Sequence, residues 1–181
     1  AWSELKPLFP VAGAPMIERT LRTLPLSTQT MALCRAEDLK TTPLSRVLRT
    51  AREGTRTIAL NQKMERQACL CLIPDSALDS RSPVLVAPSD ASLVYDEYEF
   101  AAMSAHADCV VFTFRDHPQA NRHPHQYNWI TADAGGEMEA IALRSAPPGE
   151  IREARGLTGM FWFREAGAMF DGIRHWLDTG R

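Results

Sequence analysis

The chain has 181 residues, of which 45% are hydrophobic and 23% charged, and its formal net charge is −2. This balance describes one soluble globular domain with enough length to bury a core, and it excludes disordered and fibrous classes. So small a net charge supplies no global field for nucleic acid or an anionic membrane, and no apolar run approaches the roughly 18 residues of a membrane-spanning helix.

The predicted elements begin with Lys6-Pro7, followed by a short apolar segment and a Gly-Ala-Pro turn at residues 13–15. "APMIERTLRTL" then places Met16, Thr20 and Leu24 on one face with Ile17 and Leu21 beside them, which predicts an amphipathic helix. "TMALC" reads as a short buried strand, and "AEDLKTTPLSRVLRTARE" as helix broken near Pro43. "TIAL" is a further strand and "RQACLCLI" a further helix. "PVLVA" is an apolar run closed by turn residues, as expected of a strand buried on both faces. "YEFAAMSAHAD" is helical, and "CVVFTF" returns to strand.

Up to residue 114, helix and strand therefore alternate, which predicts a three-layer α/β/α sandwich around a mainly parallel mixed sheet. Beyond it, "YNWITADAGGEMEAIAL" predicts two strands joined at a hairpin turn in "ADAGG". "SAPPGEIREARG" is a polar loop, "LTGMFWF" a strand and "AGAMFDGIRHWLDTG" a closing helix. No repeat or linker divides residues 1–181, so a single domain is expected.

The four cysteines lie in apolar segments and suit buried free thiols in a reducing cytoplasm. Cys69 and Cys71 stand two apart on a predicted helix, where side chains diverge by about 200° and do not readily share a metal.

Parallel sheets bind ligands outside the carboxyl ends of their strands. The run "PVLVAPSDAS" delivers Asp90 to such a place. A carboxylate holds Mg²⁺ and a lysine neutralises phosphate oxygens, so Asp90 and Lys6 together suit a nucleotide. In "RDHPQANRHPHQ", Asp116, His117, His123 and His125 crowd one loop, where they would bind Zn²⁺ or help to select a substrate.

Six segments in order carry a resemblance. "KPLFPVAGAPMIERTLRTL", "RQACLCLI", "PVLVAPSDAS", "EYEFAAMSAHADCVVFTF", "YNWITADAGGEMEAIA" and "LTGMFWF" together resemble the sugar-phosphate nucleotidyltransferases, in their capsule and surface-polysaccharide branch. The resemblance implies a nucleotide-diphospho-sugar transferase fold and a Mg²⁺-dependent reaction. A phosphate oxygen of a sugar phosphate or similar acceptor attacks the α-phosphorus of a nucleoside triphosphate, and pyrophosphate leaves. It implies Lys6 and Asp90 as catalytic residues, with Lys6 on the triphosphate and Asp90 on the metal. Gln67 and Arg66 would contact the nucleotide, and Arg144, Tyr127 and Thr158 the acceptor.

The chain also departs from that family. The glycine-rich phosphate loop would precede "AWSELK", and the second metal carboxylate would follow Arg181, so truncation at both ends is expected. Arg66 replaces a glycine, and Leu143-Arg144 replaces Glu-Lys. Two alternatives stand beside the transferase. One is a glycosyltransferase of the same fold, which would carry Asp-x-Asp where this chain has Asp90-Ala91-Ser92. The other is a catalytically silent domain of this fold kept for binding or regulation.

Overall fold

The computed structural model describes residues 5–61, 67–147 and 149–180. The chain opens with a 3-10 turn at Lys6–Leu8, then a small hairpin of β1 (Pro10–Val11) and β2 (Ala14–Pro15), then α1 (Met16–Thr23). β3 (Met31–Arg35) follows, with α2 (Ala36–Thr41), α3 (Leu44–Ala51) and β4 (Arg56–Leu60). The helix break expected near Pro43 falls at that residue, which stands at the start of α3. Next come α4 (Gln67–Cys71), β5 (Val84–Val86), α5 (Glu97–Ser104) and β6 (Cys109–Phe114). α6 (Pro118–Arg122), β7 (Trp129–Ala132), β8 (Met138–Ala142), β9 (Arg155–Phe163) and α7 (Ala166–Thr179) complete the order.

The mixed α/β class is as expected, but the sheet is not mainly parallel. Among the described residues the one parallel pairing is β3 with β4, Met31 opposite Arg56. The five-stranded sheet of β5, β6, β7, β8 and β9 is antiparallel throughout. The physical reason is an interleaving. β5 and β6 run in the same direction, as a β-α-β crossover requires, but β9 lies between them and runs the opposite way. Phe161 pairs with Val86 on one edge and Val111 on the other. Near its start, β9 uses Gly156 to pair with Phe114 and with Trp129. The long apolar strand thus takes the central position, where Met160 is fully buried. β5 is half-buried rather than fully enclosed, and among the described residues it pairs with β9 alone.

Three apolar clusters hold these parts. Ile17 and Leu21 of α1 pack with Leu44 and Leu48 of α3, and Ala32 and Cys34 of β3 close that cluster. Met169 and Phe170 of α7 pack against Val84, Val86 and Phe163. Trp129 and Ala154 form the third with Ala120. The first two match the apolar periodicity of their own helices, whereas the third draws Ala120 and Ala154 from segments that read as polar loops. No helix among the described residues is long and apolar enough to cross a membrane.

Candidate functional site

Lys6 lies in the 3-10 turn, where the Leu8 N–H donates to the Leu5 carbonyl at 2.8 Å and the Phe9 N–H to the Lys6 carbonyl at 3.1 Å. Pro7 fixes φ at the start of that turn and sacrifices no needed donor. The β1–β2 hairpin then folds back over a two-residue turn, with Ala12 at φ 48° and Gly13 at φ 83°. Arg19 of α1 reaches over this turn and donates to the carbonyls of Val11 and Ala12. The Met16 N–H donates to the Phe9 carbonyl at 2.8 Å. The turn bearing Lys6 is thereby fastened to the first turn of α1.

The same helix fastens the loop after β5. Thr20, 1% exposed, has its hydroxyl 3.4 Å from the Ser89 carbonyl and 3.2 Å from the Met16 carbonyl. One turn on, the Thr23 hydroxyl accepts from the Leu93 N–H at 3.3 Å. Asp90 lies between these two anchors. From the other side, Gly159 of β9 faces the loop: a Cβ built on it would stand 3.6 Å from Pro88 Cγ.

The outcome is a direct ion pair between Lys6 Nζ and Asp90 Oδ2, made across 84 residues of sequence. Its side chains are 64% and 33% exposed. A pair so accessible contributes roughly 0–1 kcal/mol to stability, too little to explain its construction as a fastening. It also costs little to open. A ligand carrying both a cation and an anion could therefore divide the two partners at small expense.

The other expected site residues fall in different places. Arg144 is tied to Asn128, the residue after Tyr127, and so is Leu157, the residue before Thr158. The Asn128 side-chain oxygen accepts from the Arg144 N–H at 3.1 Å, and its carbonyl accepts from the Leu157 N–H at 2.9 Å. Arg144 is exposed and held at φ 44°, a conformation uncommon outside glycine. Tyr127 stacks in an aromatic group with Phe114 at 5.7 Å and Trp129 at 6.3 Å between ring centroids. Thr158 spends its hydroxyl within the sheet, donating to the Phe112 carbonyl at 2.8 Å and accepting from the Met160 N–H at 3.1 Å. No hydrogen bond joins this group to Lys6 or Asp90 among the described residues. Gln67 begins α4 with only its backbone described, and Arg66 lies outside the described residues.

The histidine-rich segment folds on itself. His117 caps α6, its Nδ1 accepting from the Ala120 N–H at 3.4 Å, and its ring lies 5.5 Å from that of Phe114. Asp116, at φ 47°, accepts from the Asn121 side-chain amide at 2.7 Å. Among the described residues no three histidine, cysteine or acidic side chains gather as a metal site. The zinc alternative for this loop therefore has no ligand set. Cys69 and Cys71 lie on α4, and neither is in a disulfide. Cys34, packed under α1, is pushed up to about 11 by burial and then by the Asp38 carboxylate.

Sequence reasoning passed over Arg19, Thr20, Thr23, Asn128 and Gly159 as parts of the site. One signal was available for Thr20: a hydroxyl on the apolar face of α1, between Ile17 and Leu21, needs a partner once buried.

No family model matches the chain, and no curated protein does. Solved structures do. HddC from Yersinia pseudotuberculosis complexed with GMP-PN superposes with a TM-score of 0.63 at 12% identity, over 92% of this chain and 69% of that one. A second structure of HddC from Yersinia pseudotuberculosis gives 0.62 at 14% identity, over the same shares. At such identities the likeness is one of fold: this chain folds as HddC does over most of its length.

Proposed function

We propose that the chain binds a magnesium nucleoside triphosphate at Lys6 and Asp90. We infer from this that it is a sugar-phosphate nucleotidyltransferase of the three-layer α/β/α kind. The observation that carries the reading is the Lys6–Asp90 pair, assembled across 84 residues and left accessible. The fold shared with HddC, one structure of which is complexed with GMP-PN, supports a nucleotide as the ligand.

Asp90 fits Mg²⁺ as a single hard oxygen donor on a loop held at both ends. Mg²⁺ is ordinarily held by one or two carboxylates, with phosphate oxygens and water completing six ligands. When bound, the ion would supply charge that offsets repulsion between the two reacting phosphates. Lys6 would leave Asp90 and neutralise triphosphate oxygens. An oxygen of the acceptor's phosphate forms a bond to the α-phosphorus, and the bond from that phosphorus to the bridging oxygen breaks. The electron pair departs with pyrophosphate. No protein nucleophile is required, so catalysis is alignment and charge compensation. Arg144 would clamp the acceptor's phosphate beside Tyr127, and Gln67 and Arg66 would face the nucleotide. Triphosphate chemistry and four cysteines outside any disulfide both suit a cytoplasmic setting.

The test is pyrophosphate release with Mg²⁺, each nucleoside triphosphate and a panel of sugar 1-phosphates. Release that requires both substrates is the expected result. Absence of release with every pair would overturn the transferase reading. If calorimetry also detected no heat with any triphosphate, the site itself would be refuted. Heat without release would identify the silent binding domain.

A further inference from the structure

We infer that Thr158 is a positioning residue for the Asp90 carboxylate, acting through a bulge that it locks in β9. The inference rests on the reading of Lys6 and Asp90 given above and extends it to a residue that touches neither.

The ladder between β6 and β9 is regular at Val111–Phe161 and again at Thr113–Leu157. Between those pairs, Phe112 alone faces Thr158, Gly159 and Met160. Two surplus residues must leave the ladder, and their backbone groups need other partners. The Thr158 hydroxyl meets two of those needs. It donates to the Phe112 carbonyl at 2.8 Å and accepts from the Met160 N–H at 3.1 Å, so donor and acceptor are both used. Gly159 is thereby presented at φ 84°, which a residue with a side chain adopts only under strain.

The half-buried Gly159 faces the ring of Pro88, two residues before Asp90: a Cβ added to it would stand 3.6 Å from Pro88 Cγ. Pro88 has φ fixed by its ring, so a displacement of that proline passes to Ser89 and Asp90 rather than being absorbed locally. On the opposite side the loop is held by Thr20 and Thr23. The carboxylate is therefore set between two supports, a helix and a bulge. The bulge is the one maintained by a single hydroxyl, since regular pairing resumes on either side of it.

The experiment compares wild type, Thr158→Val, which is nearly isosteric but lacks the hydroxyl, and Thr158→Ser, which retains it. Two quantities are read on each folded protein: the ¹³C resonance of the Asp90 carboxyl, and the affinity for inorganic tripolyphosphate with Mg²⁺. Lys6→Met calibrates the resonance by removing the partner outright. Thr158→Val is expected to move the Asp90 resonance by at least a third of the Lys6→Met change and to weaken tripolyphosphate binding about 5- to 20-fold. Thr158→Ser is expected to stay within about twofold of wild type on binding, with the resonance unmoved.

A folded Thr158→Val with the wild-type resonance overturns the inference, as does a Thr158→Ser as impaired as the valine variant. If Thr158→Val does not fold, Pro88→Ala takes its place. That change removes the ring that faces Gly159 and must shift the same resonance. If wild type does not bind magnesium tripolyphosphate, the functional reading fails, while the resonance still decides the role of Thr158.

Discussion

The Lys6–Asp90 pair and the Asp116–Arg122 segment are both small polar groups, but they are built in opposite ways. Asp116, His117 and Asn121 lie within five residues of one another; the Asn121 amide donates to Asp116 and His117 accepts from the Ala120 N–H, while the buried Asn121 Oδ1 has no partner among the described residues. Their polar atoms cap α6 and close a turn, the usual use of such residues when near in sequence. Lys6 and Asp90 stand 84 residues apart, and among the described residues their side chains bond to each other and not to backbone. Meeting requires loop closure, and Arg19, Thr20, Thr23 and Gly159 are arranged to hold it. The comparison separates polarity consumed by folding from polarity held ready for a ligand. A crowd of histidines in one loop drew attention in the sequence, yet the more consequential charges were the ones far apart.

This contrast can be broken most sharply at Asp90. Asp90→Asn is expected to lower Mg²⁺-dependent pyrophosphate release at least about 100-fold, while thermal melting moves by only about 2–4 °C because the exposed pair holds little stability. A large melting shift without loss of activity would make the pair structural.

Cys34 sharpens the contrast from within the scaffold, because it lies beneath α1. Its thiol, pushed up to about 11, should react with iodoacetamide at pH 8 about 100-fold more slowly than a free cysteine, as followed by mass spectrometry. The sign of its pH effect follows. The fold favours the neutral thiol, so that stability is present below pH 9 and is lost as pH rises through about 11.

Lys6→Met should weaken triphosphate binding about 10- to 50-fold by calorimetry, and the difference should shrink as salt is raised. Thr20→Val should cost about 1 kcal/mol in urea unfolding, from the loss of a buried hydroxyl that holds Ser89. The smallest effect is expected on the local side of the comparison. His117→Ala removes a cap and should cost under about 1 kcal/mol, with triphosphate affinity unchanged. A His117 variant that bound triphosphate poorly would move that loop into the site.

Much of the secondary structure was legible because each segment announces its own period. The α1 stripe, the runs at 84–86 and 109–114, the hairpin at 129–142 and the closing helix all appear where the pattern puts them. Strand order was not legible. Alternation dictates that β5 and β6 run the same way, but nothing local to either reveals that β9, some 50 residues further on, will be inserted between them. The start of β9 was hidden as well, since Arg155 and Gly156 read as the end of a polar loop until their pairing with β7 is seen. Asp90 was legible as the acid that follows a buried run. Thr158 was legible only as a member of a motif; that its hydroxyl completes a bulge depends on Phe112, 46 residues away.

The most direct measurement is a crystal structure of this chain with Mg²⁺ and a non-hydrolysable triphosphate analogue. The account predicts an opened pair, with the Lys6 ammonium on phosphate oxygens and the Asp90 carboxylate on the metal. A nucleotide bound elsewhere, with Lys6 and Asp90 still joined to each other, would contradict it.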